Sequence, residues 1–258
     1  MREGMPTSMP ERLLAEGAIL LAILGWWFTA RGMPAFVLPG PLDVLQSLSG
    51  FVTNPTLLQH VAVSFLRVAA SVTIGLLLAL LLAWAATRSA IVMAIVERRI
   101  LLVLNSFPSV GWAVLAIIWF QVSDLTVIFI QVAIVLPFCL VNALEGFRQL
   151  DRELDELGAS LTRSAWRRFL KLTLPAIMPF LVAGLRIAYG ICWKIALVSE
   201  LFGAPSGLGV LLLRAQANAD AAMVFAVCLV IVLIFGTVDR FALRPLAARY
   251  SANREARA

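Results

Sequence analysis

Residues 61–86 carry a single charge, Arg67, and residues 76–86 contain only Leu, Ala and Trp. That run exceeds the roughly 20 residues an α-helix needs to cross the hydrocarbon of a bilayer. Similar runs occupy 13–30, 101–120, 124–146, 176–200 and 221–243, with 101–120 interrupted by Pro108. Backbone in lipid has no water to bond, so each run must satisfy its own peptide groups as a helix. The chain is therefore expected to be an all-α integral membrane protein of six transmembrane helices, one membrane domain over residues 1–258. No small-residue cleavage site closely follows the first run, which reads as a retained anchor. Composition agrees: 61% of residues are hydrophobic and 14% charged, with mean hydropathy +0.94. A soluble surface needs roughly 25% charged residues.

The net charge of +6 raises nucleic acid as a partner, but the positions of the charges answer otherwise. With the N-terminus inside, Arg2, Arg12, Arg88, Arg98 and Arg99 fall on the inner side. So do six basic residues between Arg148 and Lys171 and five between Arg240 and Arg257. Only Arg31 and Arg214 fall outside. This positive-inside bias places both termini in the cytoplasm and accounts for the charge through lipid. Cys139, Cys192 and Cys228 lie in apolar runs at no ligand spacing, and His60 stands alone, so neither a disulfide nor a metal site is read.

Outside, Leu38-Pro-Gly-Pro41 followed by Leu42, Leu45, Leu48 and Val52 reads as a turn and a short interfacial helix. The longest inner segment, 147–175, begins acidic (Asp151, Glu153, Asp155, Glu156) and ends basic (Arg163, Arg167, Arg168, Lys171). That order suits helix dipoles. Asp151 is placed to cap one short helix, and Thr162 or Ser164 a second. Trp166, Phe169 and Leu170 would share a face of the second, and Pro175 would open the following span.

This segment resembles the EAA loop of permease subunits in binding-protein-dependent ABC importers. An ungapped match sets Glu156 on the motif's Glu, Leu157 and Gly158 on its alanines, and Thr162 on its glycine. Leu172 and Leu174-Pro175 fall on its closing residues. A second register uses Gly158 as the glycine and needs a four-residue insertion. Further along, Gly184-Leu-Arg186, Trp193, Glu200-Leu-Phe-Gly203 and Gly207-Leu-Gly209 are similar to the nitrate, sulfonate and taurine branch. So are Ser64-Phe-Leu-Arg67, Phe107-Pro108 and Ile117-Ile-Trp-Phe120; there the Trp-Phe pair is usually followed by Gly, here by Gln121.

The resemblance implies a type I ABC importer permease fold in the bacterial inner membrane, with a coupling helix near 151–161. It implies two permease subunits, a homodimer or a pair with a different second permease, with cytosolic ATPase subunits on the inner loops and a periplasmic solute-binding protein outside. The chain has no Gly-x-x-x-x-Gly-Lys-Ser/Thr phosphate loop, so ATP and Mg belong to the partner ATPase and no enzymatic role is expected of this chain.

Ionisable residues inside a membrane are candidate functional groups. At 100° per residue Arg186, Tyr189, Trp193 and Glu200 project within about 60° of one another, with Lys194 about 80° from Arg186. These, with Gln131 and Asn142, are candidates for the translocation path, a cationic one suiting an anionic solute. Structural readings stand beside them: Arg186 paired to another helix, Glu200 at the outer interface. A secondary transporter would show inverted repeats with broken helices, and a membrane enzyme would show clustered His, Asp or Glu. The sequence has neither.

Overall fold

The computed structural model describes residues 9–150, 160 and 164–255, and every described segment of regular structure is helical. Helix α1 is Met9–Ala30 and α2 is Pro41–Thr53. Helix α3, Pro55–Arg88, contains the whole 61–86 run. Then come α4 (Ala90–Ser106) and α5 (Ser109–Phe120), bent 89° to each other at Phe107-Pro108. The residue before a proline is pushed out of the helical region, and Phe107 is accordingly extended (φ −78°, ψ 126°). Helix α6 is Asp124–Arg148, α7 Ala165–Gly203, α8 Leu208–Ala217 and α9 Ala221–Tyr250.

Among the described residues α3, α6, α7 and α9 are long and apolar enough to cross a membrane, and the bent α4–α5 pair would make five. The described apolar part of α1, Glu16–Ala30, is shorter. The protein is thus a multi-pass membrane protein.

One expectation is corrected. Pro175 does not open the helix: α7 begins at Ala165, where Ser164 accepts a capping bond from Arg167 N. The helix passes through Pro175 by widening to a π-turn over Phe169–Thr173, in which Leu174 N bonds to Phe169 O. Proline lacks the N–H of a regular i→i−4 bond and its ring crowds the preceding turn, so a wider turn just upstream lets the helix continue. The same device recurs in α9, where the π-turn Asp239–Leu243 precedes Pro245.

The chain groups into two compact units. The first comprises Met1–Leu58 and Leu212–Val230. Within it Trp26 stacks on Phe225 at 5.8 Å, Trp26 Nε1 donates to Pro39 O (3.0 Å), and Val44 and Phe51 are buried. The second comprises Gln59–Leu211 and Ile231–Ala258, and its densest packing is α6 against α7. Small residues set that approach. A Cβ on Gly184 would meet Asn142 at 3.1 Å, and one on Gly146 would meet Phe180 at 3.0 Å. Helices in lipid associate through such close packing, since apolar burial gives little advantage there.

Candidate functional site

Four polar groups of the second unit meet where α3, α6 and α7 converge on the loop after α7. Arg67 of α3 is 3% exposed and Glu200 of α7 1%. Arg67 Nη1 donates to Glu200 Oε1 (2.9 Å) and to Ser206 O (2.5 Å). Its Nε donates to Asp124 Oδ1 (2.9 Å), and Nη2 donates to the same oxygen. Ser64 donates to both Glu200 oxygens (2.7 and 2.9 Å) and accepts from Leu208 N (2.8 Å). Gly209 N donates to Glu200 Oε2 (2.8 Å), and Gly207 N to His60 Nδ1 (2.8 Å). A buried charge is tolerated only when paired and fully hydrogen-bonded, and both conditions hold for Glu200.

The 207–209 turn has no room for a side chain. Gly207 sits at φ +121°, and its Cβ would lie 2.5 Å from the Glu200 carboxyl; a Cβ on Gly209 would lie 2.7 Å from Leu197 O. Gly203 closes the end of α7 against α6: a Cβ there would reach Thr126 at 2.5 Å, and its carbonyl accepts from Ser123 N (3.0 Å). The stretches Ser64–Arg67 and Glu200–Gly209, separated by more than 130 residues, are therefore one structural assembly.

The other candidates divide into buried and exposed sets. Gln131 is fully buried, donating to Ser199 Oγ and accepting from Cys192 Sγ, each at 3.3 Å. Tyr189 stacks on Phe235 (5.4 Å, 9°) and meets Trp193 edge-on at 6.3 Å, both buried. Asn142 donates to Phe138 O of its own helix (2.8 Å). Arg186 is partly exposed and pairs with Asp239 (3.2 Å), which also accepts from Arg244 Nε (2.8 Å). Lys194 is exposed and has no ion pair among the described residues. On α7 the exposed residues Ala183, Arg186, Ile187, Lys194 and Val198 recur at three-, four- and seven-residue spacing, forming a single strip.

Leu174 and Pro175 lie in α7; Glu156, Leu157, Gly158 and Thr162 lie outside the described residues. The sequence alone does not mark Asp124, Ser206 or His60 as members of a site. Asp124 and Ser206 lie at an element's edge, and nothing local marks them as partners of Arg67. The signal that was available is charge. Arg67 and Glu200 are opposite charges in apolar runs, and such charges seek each other.

Residues 71–250 match the family described as binding-protein-dependent transport system inner membrane component. A probable ABC transporter permease protein of Haemophilus influenzae is 30% identical over 88% of this chain and 92% of its own length. The putative aliphatic sulfonates transport permease protein of Bacillus subtilis is 26% identical over 87% and 81%. The formylaminopyrimidine transport permease protein of Halalkalibacterium halodurans is 28% identical over 83% and 86%. With its apolar helices and a family match over residues 71–250, the chain belongs to the family of inner membrane components of binding-protein-dependent transport systems and is a permease subunit of an ABC-type importer.

Proposed function

We propose that this subunit crosses the bacterial inner membrane six times with both termini cytoplasmic, pairs with a second copy of itself, and imports a small anionic solute. In this reading α1 is the first crossing and the bent α4–α5 pair the third. A periplasmic binding protein delivers the solute. The inner segment around Glu156, Leu157, Gly158 and Thr162, leading into Leu174-Pro175, is the coupling helix that cytosolic ATPase subunits grip. ATP and Mg act on those partners.

The observation that carries the solute reading is Lys194. An ammonium facing hydrocarbon costs about 3 kcal/mol near the bilayer centre, and Lys194 stands on an exposed strip of α7 that also presents Arg186. Arg186 is matched by Asp239, but Lys194 has no ion pair among the described residues, and its ammonium is better suited to a polar path beside a second subunit than to lipid. Among relatives, one is named for aliphatic sulfonates and another for formylaminopyrimidine; the charge of Lys194 favours the sulfonate class. Gln131, Tyr189, Trp193 and Glu200, packed inside the subunit, support the walls of that path.

Detergent pull-down from native membranes tests the coupling. A P-loop ATPase should co-purify with wild type and be lost from Glu156→Arg; its absence from wild type in several mild detergents would sink the reading. Lys194→Met should lower sulfonate uptake about tenfold while the ATPase still co-purifies. Undiminished uptake would remove Lys194 from the path.

A further inference from the structure

In the first unit the end of α1 and the start of α2 enclose a cleft of about 240 Å³, lined in part by Trp27, Arg31, Gly40 and Asp43. Two hydrogen bonds brace its walls. Trp26 Nε1 ties Pro39 O to α1 (3.0 Å), and Gly40 N donates to Asp43 Oδ2 (3.0 Å). Pro39 and Pro41 flank Gly40 and stiffen the turn.

Two opposite charges line this small cleft without pairing with each other. The Arg31 guanidinium lies 3.7 Å from the centre of the Trp27 ring. Asp43 accepts from Gly40 N with one carboxylate oxygen, and no other hydrogen bond to its carboxylate is made among the described residues. Below the cleft α1 exposes Leu20, Leu24 and Phe28. Its apolar stretch ends at Ala30, which sets Arg31 and Trp27 at the membrane–water boundary where such side chains anchor.

We propose that this cleft seats the phosphoethanolamine head of a membrane phospholipid, with its phosphate on Arg31, its ammonium on Asp43 and its acyl chains along α1. A lone anion would meet the Asp43 carboxylate, and a lone cation would meet Arg31. A zwitterion answers both charges at once. The ammonium matters because it donates hydrogen bonds to a carboxylate, which the quaternary nitrogen of choline lacks the protons to do. Which leaflet supplies the lipid follows from the orientation proposed above. The binding itself depends neither on that orientation nor on transport.

The test is native mass spectrometry of the full-length protein in detergent. It is titrated with phosphatidylethanolamine, phosphatidylcholine and phosphatidylglycerol of identical acyl chains. Wild type should retain phosphatidylethanolamine at about tenfold lower concentration than the other two, the size of one charge-assisted hydrogen bond. Asp43→Asn keeps an oxygen for Gly40 N but loses the charge, and should bring phosphatidylethanolamine down to the level of phosphatidylcholine. Arg31→Gln should weaken phosphatidylethanolamine and phosphatidylglycerol together. Phosphatidylglycerol retained as tightly as phosphatidylethanolamine by wild type would overturn the proposal, as would an ethanolamine preference that survives Asp43→Asn. The conservative Asn variant decides the matter even if Arg31→Gln folds poorly.

Discussion

Arg67 Nη1 lies 2.9 Å from Glu200 Oε1, joining α3 to α7 across 133 positions of sequence with both side chains almost fully buried. Removing one member strands the other. Arg67→Met leaves the Glu200 carboxylate without its cation, at a cost of about 3–5 kcal/mol. Glu200→Gln is milder, about 1–3 kcal/mol, because Arg67 keeps Asp124 and Ser206. The double variant should lose less than the sum of the two, since the groups share one network. Melting curves in detergent read all three; strictly additive losses would mean that the pair does not hold the helices together.

The turn after α7 gives a sharper test, because its demand is steric. Gly209→Ala would place a methyl 2.6 Å from Glu200 Cβ and 2.7 Å from Leu197 O, and backbone cannot yield as a flexible side chain can. A Cβ on Gly25 meets nothing within 4 Å. Gly209→Ala should therefore lower the melting temperature and uptake together, while Gly25→Ala leaves both unchanged. Equal behaviour of the two variants would contradict the packing of this turn.

Thiol labelling reads the burial of the second unit. Cys139 and Cys192 are both 0% exposed, whereas Cys228 is exposed. Folded protein in mild detergent should react with a membrane-permeant maleimide faster at Cys228 than at Cys139 or Cys192, and all three cysteines should react after denaturation in SDS. Labelling of Cys192 in the folded state would mean that the Gln131–Cys192 contact between α6 and α7 opens readily.

The long helices were legible because apolar runs in lipid leave the backbone no other choice, and the break at Pro108 because proline acts within a turn of itself. The coupling of Arg67 to Glu200 was not legible from one helix at a time. A projection along α7 puts Arg186, Tyr189, Trp193 and Glu200 on one side but says nothing of what lies opposite. Opposite Glu200 is Arg67 of α3, and opposite Arg186 is Asp239 of α9. Charge complementarity narrows such partners, and packing chooses among them. The start of α7 was misplaced for a local reason: Pro175 reads as a helix opener, and a π-turn that carries a helix past proline has no simple sequence signature.

Gln121 offers a prediction in which a substitution improves the protein. It follows Trp119-Phe120, and its backbone sits at φ 55°, ψ −158°. That region is nearly closed to residues with a Cβ and costs about 1–3 kcal/mol. The strain is held in place from both sides. Gln121 N bonds back to Ile117 O (2.9 Å), and its carbonyl accepts from Thr126 Oγ1 at the start of α6. Gln121→Gly relieves the strain, offset in part by the roughly 0.5–1 kcal/mol that glycine loses in the unfolded chain. The net gain of about 1 kcal/mol should raise the melting temperature by about 2–4 °C for a chain of this size. Gln121→Ala keeps the Cβ and should give no rise. If Ala stabilises as much as Gly, the gain comes from losing the glutamine side chain, and the backbone at this turn is not strained.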